Sequence, residues 1–406
     1  MDKRFRYHEK RVHDLPVEES VVRLWSEDGA VDGEMIRSAF RPLATTGLIW
    51  PYVALMPDYH PGEGAMIGSV IPTRDVLLPT VIGGDLGCGM TAVCLPMQAE
   101  LMLAKLPIVE RMLREGIPVG PAHNAVVTER VQNNPIWRRD ARAPILANRL
   151  RRKMIRQFAS LGGGNHFLEI QCDEDGQAWI MLHSGSRYLG VTLRDYYVEQ
   201  GRDQDGIEGG LYGKVPYIRA GTQFADDYLA DLQLCLDFAR ESRREMMIRV
   251  LEVLATAFPD VENLAWQERI VSTHDIAHNF VAEEEHFGER LFVHRKGAIR
   301  VTEGQVGIVP GSMGTFSYVV EGRGNAFSFQ SCSHGAGRAM SRSDAFRTIS
   351  DKDFHSSMEG VVHDHDARVK DEAPAAYKDI RRVMRAQKAL VKTCRELRPI
   401  LSIKGR

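Results

Sequence analysis

Asp85 and Cys88 stand three positions apart in the glycine-rich stretch GGDLGCGM. A carboxylate and a thiolate at this spacing can converge on one metal ion. Three later segments each place a histidine beside glycine or other small residues: His166 in LGGGNHFLEI, His183 in MLHSGSRYLG and His334 in SCSHGAGRAMSR. Because glycine lets the backbone turn tightly and approach an ion or phosphate closely, this repeated pattern favours chemistry over packing.

Each candidate also has an ordinary structural explanation. A buried aspartate at a turn often caps backbone amides, and a buried cysteine is usually inert. His183 ends the apolar run AWIMLH, so a buried histidine with satisfied hydrogen bonds is the alternative there. The segment THDIAHNF adds His274 and His278, four positions apart, which a helix would place on one face. Spacing alone leaves the choice between these two open, and His286 in EEEHF is expected to be solvent-exposed.

His334 predicts a different chemistry because glycines and arginines follow it. Gly335 and Gly337 come first, and Arg338 and Arg342 are four positions apart, which on a helix would place them on one face. An imidazole beside glycine amides and guanidinium groups is typical of phosphoryl transfer. A neutral ring nitrogen can attack a phosphorus whose charge is neutralised by its surroundings.

Three places are candidates for contact with a polyanion. Arg187 follows His183 and could hold a phosphate oxygen with its planar guanidinium group. The runs RLRRKMIR (149–156) and HRKGAIR (294–300) are strongly basic. Such runs are more often solvated faces than binding sites, so both interpretations remain open.

The elements that must position these residues are strands and helices in a mixed order. Residues 48–96 and 290–330 contain short apolar runs broken by glycine and proline, which predicts strands with the chemistry in their turns. Residues 223–257 have the strongest helical periodicity, and residues 99–115 and 376–397 are also predicted to be helical. This order predicts an α+β fold.

The composition limits the class of protein. With 406 residues, 44% of them hydrophobic, the chain can form a large core. A net charge of −2 argues against a uniformly basic surface, so clustered arginine and lysine would have to bind any polyanion. No two of the six cysteines have zinc-ribbon or thioredoxin-like spacing. Because we find neither a secretory segment nor a membrane span, we expect a cytoplasmic protein without membrane association.

Together, the motifs resemble those of the RtcB family of RNA-splicing and RNA-repair ligases. They run in order through MPDYHPGEGAMIGSVIP, GGDLGCGM, LGGGNHFLEI, MLHSGSR, HNFV, HRKGA, PGSMG, SFQSCSHGAGRAMSR, DEAPAAYKDI and SIKG. The resemblance implies one large α+β domain over residues 1–406, with mixed and antiparallel sheets flanked by helices and a metal site in a central cleft. Residues 117–145 would then be a surface insertion.

The implied activity joins an RNA end bearing a 3′-phosphate or 2′,3′-cyclic phosphate to a 5′-hydroxyl end, with GTP and manganese, in tRNA splicing or RNA repair. By resemblance, His334 is the residue that forms the covalent histidine–GMP intermediate. Transfer of GMP would give an RNA(3′)pp(5′)G intermediate, from which the 5′-hydroxyl would displace GMP. An archease-type activator is a further implied partner.

The resemblance also implies two Mn²⁺ ions bridged by Cys88. Asp85 and His166 would complete the site of one ion, and His183 and His278 that of the other. His278 is preferred to His274 because the ligand in the family is followed directly by asparagine. Manganese comes from the resemblance alone, since mixed cysteine, histidine and aspartate ligands suit zinc or iron equally well.

Two further groups of residues follow from the resemblance. Around GTP it places Asn165, Glu169, Asn279, Pro310, Gly311, Ser312, Met313, His334, Gly335, Ala336, Gly337, Tyr377 and Lys404, with Glu169 at the base edge. At the RNA phosphates it places Arg187, Arg338 and Arg342.

Tyr59, Pro61 and Tyr188 depart from the usual family pattern, near the RNA entrance that the resemblance implies. Two alternative functions remain. A metal-dependent RNA-end phosphoesterase without ligation would need the metal ligands but would have no use for a guanylylated His334 or for Lys404. A non-catalytic RNA-binding or metal-sensing protein would tolerate the loss of several ligands, whereas none is missing here.

Overall fold

Antiparallel strand pairing dominates the structure, a computed structural model that describes residue 9 and residues 11–27, 32–144, 148–203, 209–212, 215–259, 270–363 and 367–405. Within these residues, helices flank four sheets, which confirms the predicted α+β class. No helix in this part of the chain is both long and apolar enough to cross a membrane.

The strands, in chain order, are β1 (Val12–Val17), β2 (Ser20–Trp25), β3 (Val53–His60), β4 (Ile67–Thr73), β5 (Val76–Leu77), β6 (Gly89–Gln98), β7 (Phe167–Cys172), β8 (Gln177–Ser184), β9 (Gly209–Tyr212), β10 (Val215–Arg219), β11 (Ser272–Ala277), β12 (Asn279–His286), β13 (Glu289–Lys296), β14 (Ala298–Arg300), β15 (Val306–Val309), β16 (Ser317–Gly322), β17 (Ser331–Ser333), β18 (Val362–His363) and β19 (Val391–Lys404). The α-helices are α1 (Gly33–Ala44), α2 (Leu106–Gly116), α3 (Glu129–Gln132), α4 (Asn148–Gln157), α5 (Tyr188–Asp203), α6 (Gln223–Ala257), α7 (Arg342–Thr348), α8 (Asp351–Ser357) and α9 (Ile380–Ala386).

The largest sheet has the strand order β11-β6-β8-β7-β19-β16-β15, and β18 pairs with β19 in parallel. Strands β6 and β8 are mostly apolar because both of their faces are covered. In β6, for example, Val93 and Leu95 pack into the main core, whereas Met90 and Ala92 pack into a smaller core on the other face. The middle of this sheet is therefore buried on both faces.

A second sheet, with the order β1-β2-β3-β4-β13-β12, contains β3, and the short pair β14–β17 leads to His334. Helix α6 covers the same 35 residues that the periodicity predicted. It begins after Thr222, whose hydroxyl accepts a hydrogen bond from the amide of Ala225. Residues 99–115 form a 3₁₀ segment followed by α2, and Pro107 lies in the first turn of α2.

The helix predicted over residues 376–397 is largely wrong. Only α9 is helical there, and β19 begins at Val391. Strand β19 runs between β7 and β16, so pairing with residues distant in sequence overrides the local preference for helix. This correction matters because β19 ends in Lys404.

Residues 117–144 contain α3 and a 3₁₀ turn over Pro135–Arg138, while residue 145 lies outside the described residues. Val131, Ile136 and Trp137 are buried in the main core. The boundaries of this segment as an insertion remain a prediction.

The expectation that His286 is solvent-exposed is wrong. Alternate residues of β12 face inward, so Glu284 and His286 are buried while Glu283 is exposed. The ring of His286 is hydrogen-bonded to Glu284, with 2.8 Å between Nε2 and Oε2. Arg295 of β13, fully buried, donates to both carboxylate oxygens of Glu284 and to the carbonyl oxygen of Phe329.

Candidate active site

Four of the predicted ligands lie at one end of neighbouring strands in the large sheet. Cys88 directly precedes β6, whose first residue pairs with Ser184 of β8 and Ala277 of β11. His183 therefore lies opposite Met90, and His278 directly follows β11. His166 precedes β7, which is next to β8. The register of three strand pairs thus brings residues that are far apart in sequence into one cluster.

The ligand atoms of this cluster are within bonding reach of a shared ion. Sγ of Cys88 is 3.4 Å from Nε2 of His166 and 3.2 Å from Nε2 of His183. On one side, Nε2 of His166 is 3.0 Å from Oδ2 of Asp85. On the other side, Nε2 of His183 is 3.0 Å from Nε2 of His278. Cys88 thus lies between two pairs of potential ligands.

Hydrogen bonds at Nδ1 of His166 and His183 determine that Nε2 of each ring faces the cluster. Nδ1 of His166 is 2.9 Å from the carbonyl oxygen of Leu161, and Nδ1 of His183 is 3.2 Å from that of Asn165. Each Nδ1 must carry the proton to donate these bonds, so each Nε2 presents a lone pair to the cluster. Neighbouring lone pairs repel one another unless a proton or a cation lies between them. The donor set therefore fits a bound cation.

In the cation-free protein, the pKa values favour neutral histidines and a neutral thiol beside a charged Asp85. Burial, with help from neighbouring histidines, lowers the pKa of both His183 and His278 well below the usual value. Burial and the nearby Asp85 carboxylate raise the pKa of the Cys88 thiol well above its usual value. Burial alone would raise the pKa of Asp85, but its contact with His166 lowers it. A bound cation would stabilise the thiolate in this setting.

Two features of the surrounding chain hold the cluster in place. Arg243 of α6, almost fully buried, donates to the carbonyl oxygens of Gly87 and Ser184 and forms an ion pair with Asp275. It thereby joins the turn before Cys88 to the end of β8. Gly185 leaves the space that Asp85 occupies, because a β-carbon at position 185 would collide with the Asp85 carboxylate.

His334 lies beside this cluster and is held by Asp58, at the end of β3. Nδ1 of His334 is 2.7 Å from Oδ2 of Asp58, which also accepts hydrogen bonds from the backbone amides of His334 and Gly335. The ring stacks on His278, with 4.8 Å between centroids. Burial would raise the pKa of Asp58, but His334 lowers it below the usual value. Asp58 thus fixes the proton on Nδ1 and leaves Nε2 as a potential nucleophile.

A cavity of about 260 Å³ opens over His334. Many of the residues predicted around GTP line it: Asn165, Pro310, Gly311, His334, Gly335, Ala336, Gly337, Tyr377 and Lys404. Gly337, at φ +75°, is close to the backbone of Asp58, where a β-carbon would collide with the carbonyl oxygen. The remaining predicted residues lie outside this lining: Glu169, Asn279, Ser312 and Met313.

These four residues are held by the protein itself. Glu169 is buried and accepts hydrogen bonds from Gln171 and Ser402, and burial raises its pKa. The hydroxyl of Ser312 is 3.0 Å from that of Thr315. The side chain of Asn279 bonds the backbone of Asp85 and Gly297, and Met313 is fully buried.

A buried carboxylate, Glu372, organises one wall of the cavity. It accepts a hydrogen bond from the Tyr377 hydroxyl, and Oε2 is 3.6 Å from Nζ of Lys404. Arg338 and Arg342 also pair with it, at 3.3 and 2.7 Å. Burial and Glu372 raise the pKa of Tyr377 well above its usual value. Glu372 thus fixes two cavity-lining groups and both arginines.

The expectation that Arg338 and Arg342 share a helical face is wrong. Arg338 forms a β-bridge with Tyr377, whereas Arg342 is the first residue of α7. Both side chains nevertheless reach the same rim of the cavity. The helix considered for His274 and His278 is also wrong, since His274 lies in β11 and is only partly buried. The structure brings His278 into the cluster.

Arg187 lies close enough to the cysteine–histidine cluster to interact with the charges of Asp85 and Cys88. Its backbone adopts φ +59°, a costly conformation for a residue other than glycine and one found often at functional sites. Nη2 donates to the carbonyl oxygen of Gly120, while Nε is buried without a hydrogen-bond partner among the described residues. Burial lowers the pKa of Arg187, and the charges of Asp85 and Cys88 oppose this effect.

Sequence reasoning missed Asp58 and Glu372. Asp58 follows the apolar run YVALMP, much as Asp85 follows VIGG, so its position was a usable signal. Glu372 stands in DEAPAAYKDI, beside the predicted Tyr377, but nothing in the sequence alone brings it to Lys404. Both residues act by hydrogen bonding to predicted site residues, Asp58 to His334 and Glu372 to Tyr377.

Comparison with known proteins assigns this arrangement to a family. A family model described as "tRNA-splicing ligase RtcB" matches residues 40–405. A curated protein of Escherichia coli (strain K12), "RNA-splicing ligase RtcB", is 37% identical over 96% of this chain and 99% of its own length. The chain belongs to the RtcB family.

Other RtcB proteins are similar at lower identity. The "RNA-splicing ligase RtcB" of Mycobacterium tuberculosis (strain ATCC 25618 / H37Rv) is 28% identical over 86% of this chain and 96% of its own length. The "tRNA-splicing ligase RtcB" of Pyrobaculum aerophilum is 27% identical over 88% of both chains. The RtcB match includes the whole stretch from Asp58 to Lys404, so every candidate site residue lies within it.

Proposed function

We propose that the protein is a GTP-dependent RNA ligase that joins 3′-phosphate or 2′,3′-cyclic phosphate ends to 5′-hydroxyl ends. The observation that carries this proposal is His334. Its Nδ1 is fixed by Asp58, and its ring lines a cavity next to a buried cysteine–histidine cluster. Membership of the RtcB family supports an RNA substrate, since its named relatives are RNA-splicing ligases.

The first proposed step forms a bond between Nε2 of His334 and the α-phosphorus of GTP, with pyrophosphate as the leaving group. An oxygen of the RNA 3′-phosphate then attacks the same phosphorus, which breaks the nitrogen–phosphorus bond and gives RNA(3′)pp(5′)G. Finally the 5′-hydroxyl attacks the RNA phosphorus, and GMP leaves as a phosphodiester forms. A 2′,3′-cyclic end would first be opened by water to a 3′-phosphate. Guanylylation supplies the leaving group that a terminal phosphate lacks.

Asp85, Cys88, His166, His183 and His278 would hold the metal, and their separation into two pairs around Cys88 supports two ions. When bound, divalent cations stabilise charge on attacking and departing oxygens. The donor chemistry alone does not select manganese, which we propose from the family resemblance. Asn165, Tyr377 and Lys404 would contact the nucleotide, and Arg187, Arg338 and Arg342 the RNA phosphates. The remaining predicted residues around GTP would support these contacts.

We expect Cys88→Ser to weaken Mn²⁺ binding by about two orders of magnitude, since loss even of outer-sphere partners of a metal site can cost 10- to 100-fold. Isothermal titration of metal-free protein with MnCl₂ measures this directly. Cys94→Ser is the matched control, because Cys94 is also buried and lies on β6 but belongs to an apolar cluster. Equal weakening by both substitutions would contradict the assignment of Cys88.

The test of the ligase is a protein–GMP adduct. With Mn²⁺ and GTP labelled at the α-phosphate, the protein should acquire an acid-labile label that is absent from His334→Ala. His60→Ala is the control, because His60 also lines the cavity but lacks a carboxylate partner like Asp58. If the wild type forms no adduct yet still removes RNA end phosphates, the phosphoesterase function replaces the proposed ligase.

The same proposal implies a place in tRNA splicing or RNA repair in the cytoplasm. An archease-type activator is a further proposed partner. Sequencing RNA junctions formed in cells with and without the gene would identify the substrates, and absence of any gene-dependent junction would contradict this role.

A further inference from the structure

Helix α4 presents an unusual concentration of positive charge. Its sequence, NRLRRKMIRQ, contains five basic residues and no acidic ones. Arg152, Lys153 and Arg156 are exposed, and no carboxylate of the described residues forms an ion pair with them. In a chain whose net charge is −2, such a helix is a local site for an anionic partner.

An exposed aromatic ring lies against this helix. Tyr188, the first residue of α5, is 42% exposed, and Nζ of Lys153 is 3.2 Å from the centroid of its ring. The backbone amide of Tyr188 donates to the side chain of Gln157, the last residue of α4. We call Arg152, Lys153, Arg156 and Tyr188 the α4 platform.

Short chain connections join the α4 platform to the candidate active site. Tyr188 directly follows Arg187, whose charge acts on Asp85 and Cys88. Leu161, four residues after α4 ends, accepts the hydrogen bond that orients His166. The platform is therefore anchored next to residues that contact the cysteine–histidine cluster.

The chemistry of the platform distinguishes among polyanions. An acidic peptide would use the three cations but would have no specific use for an exposed aromatic ring. Single-stranded nucleic acid uses both, because its bases stack on aromatic side chains while its phosphates pair with arginine and lysine. Lys153 covers part of the Tyr188 ring, and the exposed remainder is available to a base.

We propose that the α4 platform binds the single-stranded RNA next to the reacting end, with a base stacked on Tyr188 and phosphates on Arg152, Lys153 and Arg156. This inference rests on the proposed function and adds to it an exposed aromatic binding residue, Tyr188.

The test measures binding without ligation. Fluorescence anisotropy with a labelled single-stranded 5′-hydroxyl RNA, in Mn²⁺ but without GTP, gives the Kd. Because stacking of one base contributes about 1–3 kcal/mol, we expect Tyr188→Ala to raise the Kd roughly tenfold and Tyr188→Phe to change it less than twofold. The effect of Tyr188→Ala should persist at high salt, since stacking is not screened.

Charge substitutions provide an independent measurement. Arg152→Glu should weaken binding at low salt and reduce the slope of log Kd against log salt by about one for each phosphate that the protein no longer neutralises. Arg111→Glu, a reversal of an exposed arginine on α2, is the matched control and should leave the slope unchanged. Thermal unfolding of every variant verifies that it is folded.

Two results would contradict the proposal that the α4 platform binds single-stranded RNA. One is equal RNA affinity for the wild type and Tyr188→Ala. The other is displacement of the RNA by oligoglutamate equally well from both proteins, which would make α4 a general polyanion surface. Failure of the ligase proposal is separately visible, because the GTP adduct needs no RNA. If the protein forms the adduct but its RNA affinity is unchanged by Tyr188→Ala, the proposed function stands and the role of the α4 platform is disproved.

Discussion

Replacement of Asp58 by asparagine should slow formation of the GTP adduct by about 10³- to 10⁴-fold. The carboxylate accepts a hydrogen bond from Nδ1 of His334, which keeps the proton on Nδ1 and leaves a lone pair on Nε2 of this cavity-lining ring. An amide can instead donate to Nδ1 and so stabilise the tautomer with the proton on Nε2, which is not nucleophilic. The comparable change of aspartate to asparagine in a Ser-His-Asp triad costs about 10⁴-fold.

Single-turnover labelling with GTP over a range of pH measures this effect. Asparagine has nearly the shape of aspartate, so the Mn²⁺ affinity and the unfolding temperature should remain close to those of the wild type. The matched control is Asp75→Asn, which alters an exposed aspartate in the turn after β4. A labelling rate and pH profile equal to the wild type would show that the Asp58 carboxylate does not set the reactive tautomer of His334.

The second large effect concerns stability. Glu284→Gln should lower the free energy of unfolding by about 3–5 kcal/mol, because it leaves the fully buried guanidinium group of Arg295 without its counter-charge. Burial by itself would raise the pKa of Glu284, but Arg295 and His286 together lower it to about 2. The carboxylate is therefore strongly favoured in the folded protein.

The depressed pKa also gives a pH dependence. In the unfolded chain Glu284 titrates near 4.5, so its contribution to stability is complete above that pH and is lost as the pH falls toward about 2. Urea unfolding at pH 7, 4 and 3 should show a smaller loss of stability with acid in Glu284→Gln than in the wild type. Glu283→Gln, on the exposed face of the same strand, should change stability by less than about 0.5 kcal/mol. Equal effects of the two substitutions would contradict a special role for the buried pair.

The sequence predicts best those elements and site residues whose signal lies within a short stretch of chain. The periodicity over residues 223–257 predicted α6 because one helical face repeats its apolar residues there. Cys88, His166 and His183 stood out because glycine-rich turns beside potential ligands are chemically distinctive, and the structure brings their ligand atoms together. The family was also identified from the order of these motifs.

Other parts depend on pairings between segments that are distant in sequence. Local pattern predicts a helix over residues 391–397, since it carries no information about their pairing partners, β7 and β16, which lie far away along the chain. His286 was expected in solvent because three glutamates precede it, yet Arg295 neutralises the inward-facing Glu284. Asp58 becomes meaningful only when β3 and β17 meet, which brings it to His334, 276 residues later in the sequence.

The strand order of the large sheet determines which parts of the candidate site can assemble first as the chain is synthesised. Strands β6, β7 and β8 and the ligands Asp85, Cys88, His166 and His183 all lie within about one hundred consecutive residues, so they can associate early. Lys404 joins β7 only after the last strand is available, and His334 must first meet Asp58. Apart from His278, the cysteine–histidine cluster can therefore form on a nascent chain that has no closed cavity over His334. Under the proposed function, an incomplete chain would then hold metal without the arrangement needed to react with GTP.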